Sequence, residues 1–100
     1  MRLTKEQVNT IVKICRTIAG ENSTVWLYGS RLDDNRHGGD IDVLIESPLP
    51  VTLMQRARIK LILEQQLNLP VDVLVNHPQR EENAFISMIR PKARQLETIL

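Results

Sequence analysis

The sequence contains a single cysteine, Cys15, and only three aromatic residues. One cysteine excludes an internal disulfide and a cysteine-based zinc site. Its place in a helical apolar pattern indicates a small buried residue rather than a reactive thiol. Thirteen Lys and Arg against twelve Asp and Glu leave a net charge of +1. The chain therefore lacks the basic surplus that recruits nucleic acid or an anionic membrane, and we expect neither as a direct partner.

The chain also lacks an apolar run of the roughly 18 residues that a membrane-spanning helix needs. Its first six residues, MRLTKE, contain no apolar signal-peptide core, so we expect a cytoplasmic location. No repeat, low-complexity segment or linker divides the sequence. We accordingly expect one domain over residues 1–100.

Apolar periodicity and turn residues predict the order helix, strand, strand, helix, strand, helix. The first helix opens at Thr4 and ends at Gly20, and the second runs from about Thr52 to Leu67. The predicted strands are Thr24–Tyr28, Ile41–Glu46 and residues 71–75. This order predicts a small α/β (α+β) fold, a mixed sheet of three or four strands with helices packed on it. The helix between the second and third strands favours a parallel pair.

The last third of the chain carries apolar residues at helical spacing, which predicts helix with a kink or a new start at Pro91. These residues, here named the C-terminal stripe, are Phe85, Met88, Ile89, Leu96, Ile99 and Leu100. The stripe covers more apolar surface than a small sheet needs. Part of it is therefore a candidate partner interface, with core packing as the alternative.

Candidate chemistry begins with Asp40 and Asp42, which bracket Ile41 at the start of the second strand. Alternation along a strand places both carboxylates on one face, and such oxygen ligands suit Mg²⁺ or Mn²⁺. Asp72 is the only polar residue in residues 71–75, so it is expected to be paired, protonated or metal-bound. The alternatives are a solvated strand entry for the first two and a water-facing edge strand for Asp72.

The segment Tyr28-Gly29-Ser30-Arg31 predicts a strand followed by a sharp turn. Gly29 allows close approach of the backbone to an anion, and Ser30 offers a hydroxyl and an N–H group. Arg31 is a candidate for bidentate phosphate binding, although pairing with Asp33 or Asp34 is an alternative. A phosphate cradle beside paired carboxylates is typical of metal-assisted phosphoryl or nucleotidyl transfer. Tyr28 shares a strand face with Trp26, and both are expected to serve packing.

Gly29-Ser30, followed after about ten residues by Asp40-x-Asp42 in an apolar strand, resembles the signature of the polymerase-β-type nucleotidyltransferase superfamily. Asp72 lies on a later strand, as the third carboxylate of that family does. The short length resembles the minimal nucleotidyltransferases, called MNT domains. Leu32-Asp33-Asp34 and Gly39 depart from the pattern, because many relatives have an Ala-containing turn and a Ser or Thr before the first metal-binding Asp.

The resemblance implies that Asp40, Asp42 and Asp72 hold two Mg²⁺ ions and that Gly29 and Ser30 bind the triphosphate of ATP. It implies in addition that Asp72 helps to deprotonate an acceptor hydroxyl. Bacterial MNT proteins commonly act as antitoxins of HEPN-domain RNases, and some transfer AMP to a tyrosine of that partner.

Two functions follow as hypotheses from this resemblance: an active transferase that modifies a HEPN partner, and an antitoxin that neutralises it by contact alone. The net charge makes a third class, a DNA-binding protein, unfavourable. Arg36 and His37 are expected to be solvated loop residues, with contact to nucleotide or acceptor as their alternative.

Overall fold

The computed structural model describes residues 2–33, 39–77 and 83–100. Its elements, in chain order, are α1 (Lys5–Ala19), β1 (Thr24–Tyr28), a 3₁₀ turn (Gly29–Leu32), β2 (Ile41–Glu46), α2 (Leu53–Leu67), β3 (Val71–Asn76), α3 (Ala84–Ile89), a second 3₁₀ turn (Arg90–Lys92) and β4 (Arg94–Leu96). Asp34, Arg36 and His37, for which the sequence predicts loop roles, lie outside the described residues. No helix of the described ranges is long and apolar enough to cross a membrane.

Both long helices begin where the sequence predicts, at reciprocal capping boxes. The hydroxyl of Thr4 accepts from the backbone N–H of Gln7, whose side chain accepts from the N–H of Thr4, and Thr52 and Gln55 repeat this arrangement. Each box satisfies two backbone donors that the first helical turn leaves unpaired. α2 ends at Asn68, which adopts the left-handed conformation with φ of 55°.

The sheet has the strand order β3-β2-β1-β4. β1 and β2 pair antiparallel, and β2 and β3 pair parallel, as the intervening helix predicts. One face of the sheet packs on α1 and α2 around Ile11, Cys15, Val43, Ile59 and Leu63, all fully buried. The full burial of Cys15 confirms its interpretation as a core residue, and it raises the pKa of the thiol to about 12.

The predicted helix at the C-terminus is wrong beyond α3. Pro91 lies in the short 3₁₀ turn, and the residues after it form β4, which pairs antiparallel with β1. Pro91 has no N–H to donate within a helix, which disfavours a continuous helix across it. The edge of β1 offers backbone hydrogen-bond partners to the residues that follow, so strand pairing overrides their helical spacing. Leu96 is consequently buried opposite Val25, and the C-terminal stripe is not one helix face.

The other face of the sheet is covered in part by α3. Phe85 meets Tyr28 edge to face, with ring centroids 6.1 Å apart. Arg90 lies over the ring of Trp26 and forms an ion pair with Glu46 at 3.2 Å. The contacts of Arg90 cover the sheet around Trp26 and Glu46, whereas Phe85 packs on Tyr28, which pairs with Asp42 at the start of β2. They confirm packing as the role of Trp26, and Tyr28 packs against α3 while it borders the polar residues described next.

Candidate active site

A row of polar side chains crosses the sheet on the face opposite α1 and α2. The antiparallel register pairs Asp42 with Tyr28, and the parallel register pairs the same Asp42 with Asp72. Cross-strand partners project from one side of a sheet, whereas the neighbouring Ile41 and Val43 are buried in the core as predicted. The strand order thus places two carboxylates from separate strands beside one phenol.

The side chains of Asp42 and Asp72 lie next to each other in register on adjacent parallel strands, close enough for each carboxyl group to act on the other's proton. The pKa of Asp42 is raised from 3.8 to about 6, first because burial disfavours the charged form and then because the charges of Asp72 and Asp40 repel a further negative charge. Adjacent carboxylates relieve their repulsion by sharing a proton or by binding a cation. The Asp42–Asp72 pair therefore holds a proton at mildly acidic pH, and a bound cation could take the place of that proton.

Asp40 and Asp72 flank Asp42 and are exposed to water. Asp40 precedes β2 and is near enough for its charge to raise the pKa of Asp42. The side chain of Asp72 is 63% exposed because β3 forms the edge of the sheet. The water-facing edge strand, considered above as an alternative, is thus the environment of Asp72, and it is compatible with the predicted position next to Asp42.

The described residues, with gaps at 34–38 and 78–82, contain no group of three His, Cys, Asp or Glu side chains that converge closely enough to hold a metal ion. The Asp42–Asp72 pair nevertheless fits Mg²⁺ chemistry, because Mg²⁺ keeps several waters and commonly takes one or two carboxylates together with substrate phosphates. The oxygen donors of this pair also favour Mg²⁺ or Mn²⁺ over softer metals.

Two glycines allow the turn after β1 to approach the carboxylates. Gly29 has φ of 81°, and a Cβ at this position would overlap the carboxylate of Asp42. Gly39 has φ of 95°, and a Cβ there would lie 2.6 Å from the hydroxyl oxygen of Ser30. The glycine that departs from the family pattern therefore makes room for the Ser30 hydroxyl. Gly29 and Ser30 directly follow Tyr28, at the β1 end of the polar row and next to Asp42.

The guanidinium of Arg31 contacts backbone carbonyl groups. It donates to the carbonyl oxygens of Gly39 at 3.1 Å and of Arg2 at 3.3 Å. Arg2 in turn donates to the carbonyl oxygen of Ser30 at 3.0 Å and to that of Asp33 at 2.9 Å. The two arginines thereby fasten the turn to the chain ahead of α1. Phosphate binding by Arg31 stays a prediction, and in this structure its head group holds the turn in place.

The structure adds two residues that the sequence analysis did not assign to the site. The pKa of Tyr28 is raised, first by burial and then by the negative charges of Asp42 and Asp72, so its phenol stays protonated beside them. Lys60 of α2 places its ammonium nitrogen 3.9 Å from a carboxylate oxygen of Asp72. Tyr28 directly precedes Gly29, which is a sequence signal, whereas the place of Lys60 depends on how α2 packs beside β3.

A cleft with a volume of about 810 Å³ opens at the opposite end of β3. It lies between the start of α2 and the end of β3, and its lining includes Thr52, Arg56, Leu74 and His77. None of the six residues predicted for the site lines it. The size of this cleft therefore does not locate the chemistry, and the carboxylate pair remains the candidate site because its geometry and charge are specific.

Two solved structures share the fold over nearly the whole chain. One is a variant, with two Asp→Glu substitutions two positions apart, of the toxin–antitoxin complex MntA–HpeT, at 18% identity and a TM-score of 0.75, with 97% of this chain and 75% of that chain covered. The other is a tri-AMPylated Shewanella oneidensis HEPN toxin in complex with an MNT antitoxin, at 18% identity and a TM-score of 0.72, covering 96% and 74%. No curated protein matches the sequence.

The sequence profile described as nucleotidyltransferase domain matches residues 8–96. This range includes the turn at Gly29, both strands that carry Asp42 and Asp72, and the C-terminal strand β4. A match over that much of the chain agrees with the mixed fold and with the carboxylates at the start of two adjacent strands. The chain belongs to the nucleotidyltransferase domain family.

Proposed function

We propose that this protein transfers AMP from ATP, in a Mg²⁺-dependent reaction, to a hydroxyl group of a HEPN-type toxin, and so acts as its antitoxin. The observation that carries the proposal is the contact of Asp42 with Asp72 beside the Gly29 turn. Nucleotidyltransferases generally use a nucleoside triphosphate and divalent metal ions. A paired-carboxylate site next to a turn that begins with a glycine is suited to both.

In this proposal the carboxylates bind the metal ions and the turn after β1 binds the triphosphate. Asp42 and Asp72, with Asp40 beside them, would hold two Mg²⁺ ions or Mn²⁺ in their place. Bound metal would neutralise charge on the phosphates and on the leaving pyrophosphate. Gly29 would let the backbone approach the triphosphate, and the Ser30 hydroxyl would donate to a phosphate oxygen.

In the proposed reaction, the oxygen of the acceptor hydroxyl attacks the α-phosphorus of ATP. The bond between the α-phosphorus and the bridging oxygen breaks, and pyrophosphate leaves with that oxygen. Asp72 takes the hydroxyl proton, since its exposed carboxylate on an edge strand is accessible to an incoming acceptor. The product is a phosphodiester between AMP and the acceptor, with tyrosine as the expected residue.

The partner is proposed from the two structural neighbours, one a toxin–antitoxin complex and the other an MNT antitoxin with an AMPylated HEPN toxin. Asp72 is exposed on the sheet face opposite α1 and α2, and correct positioning of an acceptor supplies roughly 7–11 kcal/mol of a barrier. A bound toxin that brings its own hydroxyl to this face would provide that positioning. The assembly would then be a hetero-oligomer.

A second candidate is an antitoxin that neutralises the toxin by binding alone. It is favoured by the lack, in the described part of the chain, of three converging metal ligands. Under this alternative the Asp42–Asp72 contact would have no chemical task, although it leaves two carboxyl groups in repulsive contact.

Co-expression with the proposed HEPN-type toxin separates the two candidates. Mass spectrometry of the intact toxin should show an added adenylate with the wild-type chain and none with Asp42→Asn, while both chains copurify with the toxin. An unmodified toxin that is still neutralised by wild type and by Asp42→Asn alike would favour binding alone and overturn the transferase.

A further inference from the structure

The outer edge of β3 is closed by side chains of α2. The backbone N–H of Val71 donates to a carboxylate oxygen of Glu64 at 3.0 Å, and the carbonyl oxygen of Val71 accepts from the ammonium of Lys60. The preceding carbonyl, that of Pro70, accepts instead from Ile41 on the β2 side at 3.0 Å. Val71 therefore turns both backbone groups to the outer edge, where no strand of residues 2–33, 39–77 and 83–100 pairs with them.

Lys60 and Glu64 are one helical turn apart and hold each other, with the ammonium nitrogen 3.3 Å from the carboxylate oxygen. The hydrogen bond from Val71 is the first cause of a lowered pKa of Glu64, followed in the same direction by Lys60. The two side chains therefore form a pair of opposite charges that together imitate the missing neighbour strand.

The same ammonium lies 3.9 Å from the carboxylate of Asp72. Asp72 is the residue after Val71. Lys60 therefore contacts both the backbone carbonyl of Val71 and the carboxylate of Asp72. An exposed carboxylate on an edge strand can adopt many rotamers. The Lys60 ammonium, itself held by Glu64 and by the carbonyl oxygen of Val71, restricts the rotamers of Asp72.

We infer that Lys60 and Glu64 are positioning residues that hold Asp72 beside Asp42 for the metal and the nucleotide. This inference rests on the proposed function, since it assigns a support to one of its carboxylates. Partners that orient a metal-binding side chain commonly change metal affinity by about 10–100-fold when they are removed. The pair carries no net charge, so replacing both side chains together leaves the net charge near the metal unchanged.

The test is a charge-neutral double variant, Lys60→Met with Glu64→Gln, in which the glutamine oxygen still accepts from the N–H of Val71. Binding of Mn²⁺ is measured by electron paramagnetic resonance in the presence of a non-hydrolysable ATP analogue. We expect about 10-fold weaker binding than in wild type. Lys13→Met with Glu21→Gln, which removes one exposed charge of each sign from α1 and from the turn that follows it, should bind Mn²⁺ like wild type.

The decisive comparison repeats the measurement in an Asp72→Asn background. If the pair acts through Asp72, its loss should cause no further weakening there, because the two effects share one cause. An equal loss in both backgrounds, or an unchanged affinity of the double variant, would overturn the inference. Should the double variant not fold, Lys60→Met alone, with the same two comparisons, decides the matter, because the loss of a positive charge would by itself strengthen Mn²⁺ binding and the loss of positioning would weaken it. Absence of nucleotide-dependent Mn²⁺ binding in wild type would instead refute the proposed function itself.

Discussion

Asp42 and Asp72 occupy the same register of two parallel strands, and their carboxyl groups lie near enough on the face opposite α1 and α2 for the charge of Asp72 to raise the pKa of Asp42. The strands that carry them are joined by α2, whose residues Lys60 and Glu64 also close the outer edge at Val71. The α2 segment thus brings Asp42 and Asp72 together and also contacts Asp72 through Lys60. The following predictions test the consequences of this pairing.

The stability of the metal-free protein should depend on the Asp42 proton. Because the pKa of Asp42 is about 6 in the fold and 3.8 is its ordinary value, the folded state keeps a proton that the unfolded chain releases. This contribution is complete below about pH 4 and is lost as the pH rises through about 6. Asp42→Asn should remove that dependence and raise stability at pH 7 by about 1 kcal/mol, a figure reduced for the partial exposure of the group.

Chemical denaturation of both proteins between pH 4 and pH 7 in a chelating buffer measures this difference. Asp72→Asn is a useful companion, since it removes one cause of the raised pKa while leaving the burial of Asp42. A lower stability of Asp42→Asn at pH 7 would contradict the account, because it would mean that the Asp42 carboxylate has a stabilising partner.

Metal and nucleotide should bind together. Mg²⁺ is commonly held by one or two carboxylates with substrate phosphates, so the chain alone should bind it weakly and the ATP-bound chain more tightly. Calorimetric titration of Mg²⁺ with and without a non-hydrolysable ATP analogue measures the coupling, and by linkage the analogue should bind more tightly when Mg²⁺ is present. Equal affinities in the two titrations would count against the proposed division of ligands.

Gly29→Ala should damage the site beyond its effect on stability. The positive φ strains any side chain there by roughly 1–2 kcal/mol, and the added methyl group would also push the Asp42 carboxylate away. Gly20→Ala is the matched control, because its φ is 116° and the nearest atom is the Ser23 hydroxyl oxygen at an ordinary 3.8 Å. Melting temperatures should fall in both variants, whereas AMP transfer should be lost only in Gly29→Ala. Equal transfer by the two folded variants would disprove this role.

Partner association should depend on α3. Met88 is 58% exposed on the helix that packs over the candidate-site face, so Met88→Glu should weaken binding of the HEPN partner about 10-fold and reduce transfer with it. Met54→Glu provides the comparison, as Met54 is 78% exposed on α2. Surface plasmon resonance with the purified partner distinguishes them. Loss of binding in Met54→Glu alone would place the partner on α2 instead.

The sequence predicts the first two helices and the first three strands because each has a local cause. Thr4 and Thr52 cap helices through Gln residues three positions later, and apolar alternation marks the strands. β4 could not be predicted this way, since Arg94–Leu96 is a strand only because the edge of β1 is free to pair with it. A long-range partner decides such a short segment.

Some features of the candidate site can likewise be predicted from the sequence, whereas others depend on contacts between distant segments. Asp40, Asp42 and Gly29 lie in one motif, so the sequence indicates them directly, and the crossover through α2 predicts that Asp72 joins Asp42. The exposure of Asp72, by contrast, follows from the position of β3 at the sheet edge, which the sequence leaves open. The orientation of Arg31 toward the carbonyl groups of Arg2 and Gly39 likewise depends on contacts between distant segments.

The central claim is transfer of the α-phosphoryl group together with its nucleoside, and ATP labelled at one phosphate tests it most directly. The protein and its HEPN partner are incubated with Mg²⁺ and ATP labelled either at the α-phosphate or at the γ-phosphate. The account predicts that the partner acquires the α-label and not the γ-label, and that Asp42→Asn, although folded, transfers neither. Incorporation of the γ-label, or no incorporation of the α-label by the wild-type chain, would contradict it.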